Sequence, residues 1–279
     1  MRSTTDNGRG TAEVGLTCGQ QRTRTNHFKP PSGGLRHSRP RIPLMTLPSA
    51  PPRILDPHAI PVIGVDDHLP AVAQDRLQPE ALRRRFAAPP VWRPEFPGDG
   101  QRFNPQGKAV AASVLVPLVM RDDGLWVLLT QRTVHLRDHA GQISFPGGRA
   151  EPEDVDVVAT ALRETEEEVG LDRRHIEVIG VLPNYTTVTS YVVTPVVALV
   201  EPGFTLTVDP GEVAAAFEVP LGFLMTPAHH RRHSIELGGV QRQFLSMPWQ
   251  GSDVTSPPHF IWGATAAMLR NLYRFLAHE

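Results

Sequence analysis

Four glutamates, Glu164, Glu166, Glu167 and Glu168, crowd into five consecutive positions of a chain in which only 20% of residues are charged. They follow the stretch FPGG, Phe145 to Gly148. An acid cluster is ordinarily solvated surface, and any one of these glutamates taken alone reads that way. Their spacing argues for more. On a helix, side chains at i, i+3 and i+4 share a face, so Glu164, Glu167 and Glu168 point together while Glu166 points away. Carboxylates aimed at one spot repel each other unless a cation lies between them. Hard divalent ions take oxygen ligands, and Mg2+ takes few carboxylates beside water and substrate phosphate. Arg163, four residues before Glu167, can pair with or orient the acids. Gly147 and Gly148 carry no Cβ, which lets the backbone come close to a ligand. Together these residues point to metal-assisted phosphate chemistry.

The elements that must position them can be read from pattern. In EDVDVVATALRETEEEVG, Val158, Leu162, Thr165 and Val169 recur at the helical period and should face a core, with Gly170 as a C-terminal cap. Upstream, AASVLVPLVM and LWVLLTQR are apolar runs joined by RDDG, a hairpin signal with Gly124 at the turn. Downstream, HIEVIGVLP and YVVTPVVALV read as strands, and GEVAAAFEVPLGFLM as a short helix or strand against the core. HHRRHSIELGGVQRQFLSM suggests a hairpin turning at Gly238 and Gly239. FIWGATAAMLRNLYRFLAHE is an amphipathic helix with Ile261, Ala264, Met268, Leu272 and Phe275 on one stripe. The order strands, helix, strands, helix suggests a mixed α/β domain from about residue 108 to 279.

The residues around the acids resemble the Nudix box, whose pattern is G-x5-E-x7-R-E-U-x-E-E-x-G-U with U aliphatic. Arg163, Glu164, Glu167, Glu168, Gly170 and Leu171 match. Thr165 stands where an aliphatic residue is usual, and the loop from Gly148 to Arg163 is one residue longer. Glu151, Glu153 and Asp154 are all candidates for the first acid. The preceding stretch LLTQRTVHLRDHAGQISFPGG resembles the signature of the coenzyme A diphosphatase branch, L-L-T-x-R-S/A-x3-R-x3-G-x3-F-P-G-G. Leu128, Leu129, Thr130, Arg132, Arg137, Gly141 and Phe145 to Gly148 match, and Thr133 replaces Ser or Ala. That branch also carries the longer loop.

The resemblance implies an α/β/α sandwich with a mixed sheet and a loop–helix–loop box at the active site. It implies hydrolysis of coenzyme A or an acyl derivative to 3′,5′-ADP and 4′-phosphopantetheine, with Mg2+ or Mn2+. Glu164, Glu168 and Glu167 would hold the metal, with the Gly148 carbonyl as a further ligand. Glu167 would act as general base, beside Arg163. Arg132 and Arg137 would contact the 3′-phosphate or the diphosphate, since guanidinium groups bind phosphate bidentately, and Gly147 would lie against the substrate. Another nucleoside diphosphate derivative (ADP-ribose, NADH or a dinucleoside polyphosphate) is the rival substrate, and a non-catalytic nucleotide sensor the rival class.

Composition bounds the rest. A net charge of −1 argues against bulk attraction to nucleic acid or an acidic membrane. The single cysteine, Cys18, excludes an internal disulfide framework and suits a reducing, cytoplasmic setting. Residues 1–44 carry eight Arg or Lys against Asp6 and Glu13. Rich in Pro, Gly, Ser and Thr, residues 1–75 read as a disordered basic leader, with a second start conceivable at Met45. Residues 76–107 read as a short helix (77–88, with Pro79 in its first turn) and a linker. His139 is expected to be structural or exposed, and the run His229 to His233 a solvated hairpin face. Trp262 and Tyr273 are expected in core or homodimer contacts, and Tyr185 and Tyr191 on a substrate-side loop.

Overall fold

A computed structural model of the chain describes residues 54, 56–98, 100, 108–135, 141–237, 239–251, 253 and 255–279. The chain divides into two units, Met1–Thr46 and Leu47–Glu279. The first unit, and with it Met45 and most of the expected leader, lies outside the described residues.

The central sheet is built from apolar runs that alternate between two buried faces. Strands β2 (Val110–Arg121) and β3 (Gly124–Arg132) form the expected hairpin, with Arg121 paired to Gly124. β2 also pairs in parallel with β8 (Tyr191–Val200), which pairs antiparallel with β6 (Ile176–Val181). Short strands β4 (Ile143–Ser144), β5 (Gly147–Arg149) and β7 (Tyr185–Thr186) attach to β3, β2 and β8. β9 (Val213–Pro220) pairs with β3. Successive strand residues point to opposite faces. Leu115, Val119, Leu128, Val196 and Ala198 therefore face one side, and Val116, Leu118, Val127, Leu129 and Val197 the other.

Helix α2 (Val157–Val169) covers the first face. Asp156 caps its N-terminus, its Oδ1 accepting from Ala159 N at 2.8 Å, and Gly170 closes it in the left-handed conformation at φ 66°. The expected core stripe holds: Thr165 and Val169 are buried, and Val158 and Leu162 pack on Leu115 and Ala161. Thr165 fits where an aliphatic residue is usual because its hydroxyl donates to Ala161 O at 2.6 Å, leaving no buried polar group unmatched.

The opposite face is covered by α1 (Pro79–Ala87), α4 (Gly263–Ala277) and a small antiparallel sheet. Its order is β1 (Val62–Val65), β10 (Arg231–Leu237), β11 (Val240–Trp249) and β12 (His259–Trp262). A single-turn helix α3 (Leu221–Leu224) follows β9, so GEVAAAFEVPLGFL is strand and then helix. The second unit is an α/β/α sandwich around a mixed sheet. Among the described residues no helix is long and apolar enough to cross a membrane.

Three expectations are corrected. The irregular leader does not extend to residue 75: β1 pairs with β10, and Ile60 and Val72 are buried. The final helix starts at Gly263, because Phe260 to Trp262 are paired to β11; Tyr273 is buried and its hydroxyl donates to Pro70 O at 2.9 Å. The run His229 to His233 is not a solvated face. His230 and His233 are buried, the latter between Ile60 O (2.9 Å) and Ser246 Oγ (2.8 Å).

Candidate active site

The two glycines ahead of α2 do different work. Gly147 lies at φ 148°, and a Cβ there would overlap the backbone of Ser113 and Val114 on β2. A Cβ on Gly148 would overlap the carboxylate of Glu164. Gly147 thus permits the close approach of β5 to β2, and Gly148 lets the Glu164 carboxylate of α2 lie directly against backbone.

Arg163 is the organising cation. Its Nε and Nη2 bind Asp154 in a bidentate pair, both at 2.9 Å. Its Nη1 donates to Glu164 Oε1 and Glu167 Oε2, both at 3.0 Å, and Nη2 reaches Arg149 O at 3.1 Å. Every arm is occupied, so Arg163 positions the acids and the box loop. Of the three candidates for the first acid, Asp154 is the one brought to Arg163. Arg163 first, and then the Glu151 N–H, hold its carboxyl well below the usual carboxylate range.

Glu164 and Glu168 are drawn together beside the glycines. Glu168 is 5% exposed, and its Oε2 accepts from Gly147 N at 3.2 Å. Burial pushes its carboxyl up to about 7; the Gly147 N–H and Arg132 oppose this, while Glu212 and Glu164 add to it. Glu164 is also raised, by burial first, with Arg163 opposing and Glu167 and Glu212 adding. Arg132 Nη1 stands 3.6 Å from Glu168 Oε1, too far to offset the burial. Glu167 is 60% exposed at its side chain and turned to Arg163; Glu166 points away, to Arg173 at 3.0 Å. Arg137 and its neighbours Asp138 and His139 lie outside the described residues. Tyr185 is buried, while Tyr191 is half-exposed at the start of β8.

Glu212 was not singled out by sequence. The loop from Phe204 to Glu212 is sewn to the end of α2: Thr207 N donates to Val169 O and Asp209 N to Glu168 O, both at 2.9 Å. These bonds satisfy two of the carbonyls a helix end leaves open. Thr133 N donates to Glu212 O at 2.9 Å, and Arg132 Nη2 stands 4.0 Å from Glu212 Oε2. Arg132 therefore lies between Glu168 and Glu212. The one local hint was the turn DPGE ahead of the strand.

The donor set suits a divalent cation with few protein ligands. Among the described residues no three His, Cys, Asp or Glu side chains are gathered as a closed cage. A buried Glu168 and a half-buried Glu164 that adds to the upward push on it, next to glycine backbone, match an ion that keeps water and substrate oxygens in its shell.

The chain is similar to known proteins. The NUDIX domain family model matches residues 109–235. "Uncharacterized Nudix hydrolase NudL" of Escherichia coli O7:K1 is 44% identical over 163 residues, covering 58% of this chain and 80% of that protein. The protein of the same name from Shigella boydii serotype 18 matches to the same extent. Among solved structures, a Caenorhabditis elegans Ap4A hydrolase binary complex is 20% identical over 43% of this chain and 86% of its own, at TM-score 0.36. The NUDIX domain of Shewanella oneidensis NrtR, complexed with ADP ribose, is 22% identical over 41% and 74%, at TM-score 0.33. The identity to NudL across four fifths of its length decides the matter: the chain belongs to the Nudix hydrolases, enzymes that act on pyrophosphate bonds.

Proposed function

We propose that the chain hydrolyses the diphosphate of coenzyme A or an acyl-coenzyme A, giving 3′,5′-ADP and (acyl-)4′-phosphopantetheine. The observation that carries the substrate is the run from Leu128 to Gly148, which matches the coenzyme A branch signature up to the box. The pair of half-buried Glu164 and buried Glu168 carries the chemistry. Glu164 and Glu168, with the Gly148 carbonyl, would hold Mg2+ or Mn2+; Glu167 would join them only by turning from Arg163. When bound, the cation supplies charge neutralisation at the diphosphate and a lower pKa for a water.

The chain's own groups do the rest. Arg132, between Glu168 and Glu212, can turn its guanidinium to a phosphate oxygen, and Arg137 belongs to the same signature. Gly148 leaves room for the Glu164 carboxylate at the backbone, and Gly147, packed on β2, would offer the substrate only its backbone. In hydrolysis, a water oxygen bonds to one phosphorus, the P–O bond to the bridging oxygen breaks, and the leaving phosphate keeps the electron pair. The water proton passes to a carboxylate, Glu167 in this reading. Glu212, on the other side of Arg132, is the second acceptor within the site. Arg163 and Asp154 position and do not react.

The test is a substrate panel. Purified chain with Mg2+ or Mn2+ is incubated with coenzyme A, ADP-ribose or NADH, and the products are separated. Release of 3′,5′-ADP from coenzyme A, well above turnover of the others, supports the reading. Cleavage of another diphosphate without coenzyme A removes the substrate and keeps the chemistry; no cleavage at all favours a nucleotide sensor.

A further inference from the structure

Two cavities flank the last turn of α4, and neither is lined by any residue of the candidate active site. One, of about 260 Å3, is lined by Arg76, Arg84, Arg85 and Leu276 together with Ala81 and Ala88. The other, of about 440 Å3, is lined by Val91, Trp92, Arg93, Arg274, Ala277 and His278. No acid lines either one. The larger falls within the ~300–1,000 Å3 range of small-molecule sites.

The cations here are poorly compensated. Arg85 binds only carbonyls, Phe275 O at 2.9 Å and His278 O, and Arg76 binds His278 O at 2.5 Å. These contacts cap the carbonyl end of α4, which would otherwise repel an anion, but they leave both guanidinium charges unneutralised. Burial, and then the nearby Arg76, push the Arg85 guanidinium down from its ordinary value. Arg84 and Arg93 are exposed and have no ion pair among the described residues. The nearby acids are engaged elsewhere: Glu80 with Arg83, and Glu95 with Arg232, Arg270 and Arg274. Glu279, at the end of the chain, is exposed. Among the described residues Arg76, Arg84 and Arg85 at the smaller cavity and Arg93 at the larger thus have no acid partner, while Arg274 at the larger is paired with Glu95 at 2.7 Å.

An aromatic floor adjoins them. Trp92 packs on Phe275 with ring centroids 5.3 Å apart and stays partly exposed, and Val91 beside it is 98% exposed. Cations next to a half-open indole suit an anion that also carries a planar ring, since rings stack on Trp and phosphate takes guanidinium groups.

We propose that the larger cavity at the α1–α4 end binds a nucleotide, its base against Trp92 and one phosphate on Arg93, with a further phosphate directed across the last turn of α4 toward Arg84 in the smaller cavity, at a site separate from the one on α2. The test uses the full chain in EDTA, with ADP as the probe, titrated by calorimetry. Removing divalent cations takes away the support for a diphosphate at Glu164 and Glu168, so the result is independent of the proposed hydrolysis. Binding is expected in the native protein and, unchanged, in Glu168→Gln. The double substitution Arg84→Ser with Arg93→Ser should weaken it by about tenfold or more, as loss of charge-assisted bonds implies. Neither arginine supports the fold, so circular dichroism should be unaltered. No binding by the native chain, or equal binding by the double variant, overturns the proposal.

Discussion

Glu168 and the two glycines show how individual residues divide between fold and function. Glu168 is buried with an elevated pKa that Arg132, 3.6 Å away, does not offset, so its charge costs stability when nothing is bound. Glu168→Gln should therefore keep or raise the melting temperature without metal. Its kcat on the preferred substrate should fall by on the order of 100-fold or more, the size expected for removing one group that faces developing charge. Near-native kcat would take Glu168 out of the site. Gly148→Ala should behave similarly, because its Cβ meets only the mobile end of Glu164. Gly147→Ala meets fixed backbone at a positive φ, so it should lose stability first. Melts and kcat measured on both variants separate the two roles; equal stability losses would refute the distinction.

At the scale of elements, α2 is held in register from both ends. The Asp156 side chain satisfies one N-terminal N–H, and the loop to Glu212 satisfies C-terminal carbonyls. Asp156→Ala should cost about 1 kcal/mol, the usual value of such a cap. Denaturant midpoints with unchanged m-values would measure it, and no change would mean the N-terminus is held by the sheet alone. The stitching of Asp209 N to Glu168 O has a second effect: it ties the loop that carries Glu212 to the backbone of the buried acid itself. β3 and β9 pair from Trp126 to Arg132 and bring Arg132 to the same place.

The second unit is joined by a partly buried ionic network between its early and late segments. Asp66 and Glu95 face Arg232, Arg270 and Arg274, with Arg270 fully buried and 2.7 Å from Glu95. Arg270 also donates to Nδ1 of buried His230, whose Nε2 bonds to Leu224 O. Burial lowers His230 from 6.5 to about 4, and the adjacent Arg270 adds to this. The unfolded chain therefore takes up that proton first, so this part of the stability is full above pH 6.5 and is lost as pH falls toward 4. Glu95 is opposite in origin and the same in sign. Burial would raise it, but bonds from Arg270, Arg232 and Arg274 win and bring it from 4.5 to about 2. Its contribution is present above 4.5 and lost as pH falls toward 2. Glu168, raised from 4.5 to about 7, acts in the opposite sense because the folded state takes up its proton first, so the profile is read in Glu168→Gln: its melting temperature should be level above pH 6.5, decline below it and fall more steeply below 4.5. A curve level down to pH 4.5 would remove His230 from this account.

The sequence by itself determined what depends on near neighbours. The period of Val158, Leu162, Thr165 and Val169, the cap at Gly170 and the i, i+4 spacing of Glu164 and Glu168 lie within one helix, so the face they share could be read directly. The strands flanking it were legible for the same reason. Tertiary structure decided what depends on distant partners. Glu167 shares the helical face, yet Arg163 turns it to solvent, and Asp154 prevails over Glu151 and Glu153 only because the loop folds back on that arginine. Glu212 reaches the site through the β3–β9 pairing and the loop bonds to α2, which no spacing along the chain encodes. Val62 to Val65, and the burial of His230 and His233, depend on β10 lying between β1 and β11. Burial is a property of the assembled core: polar residues such as these enter it only where a carbonyl, a hydroxyl or a guanidinium from elsewhere in the chain meets them.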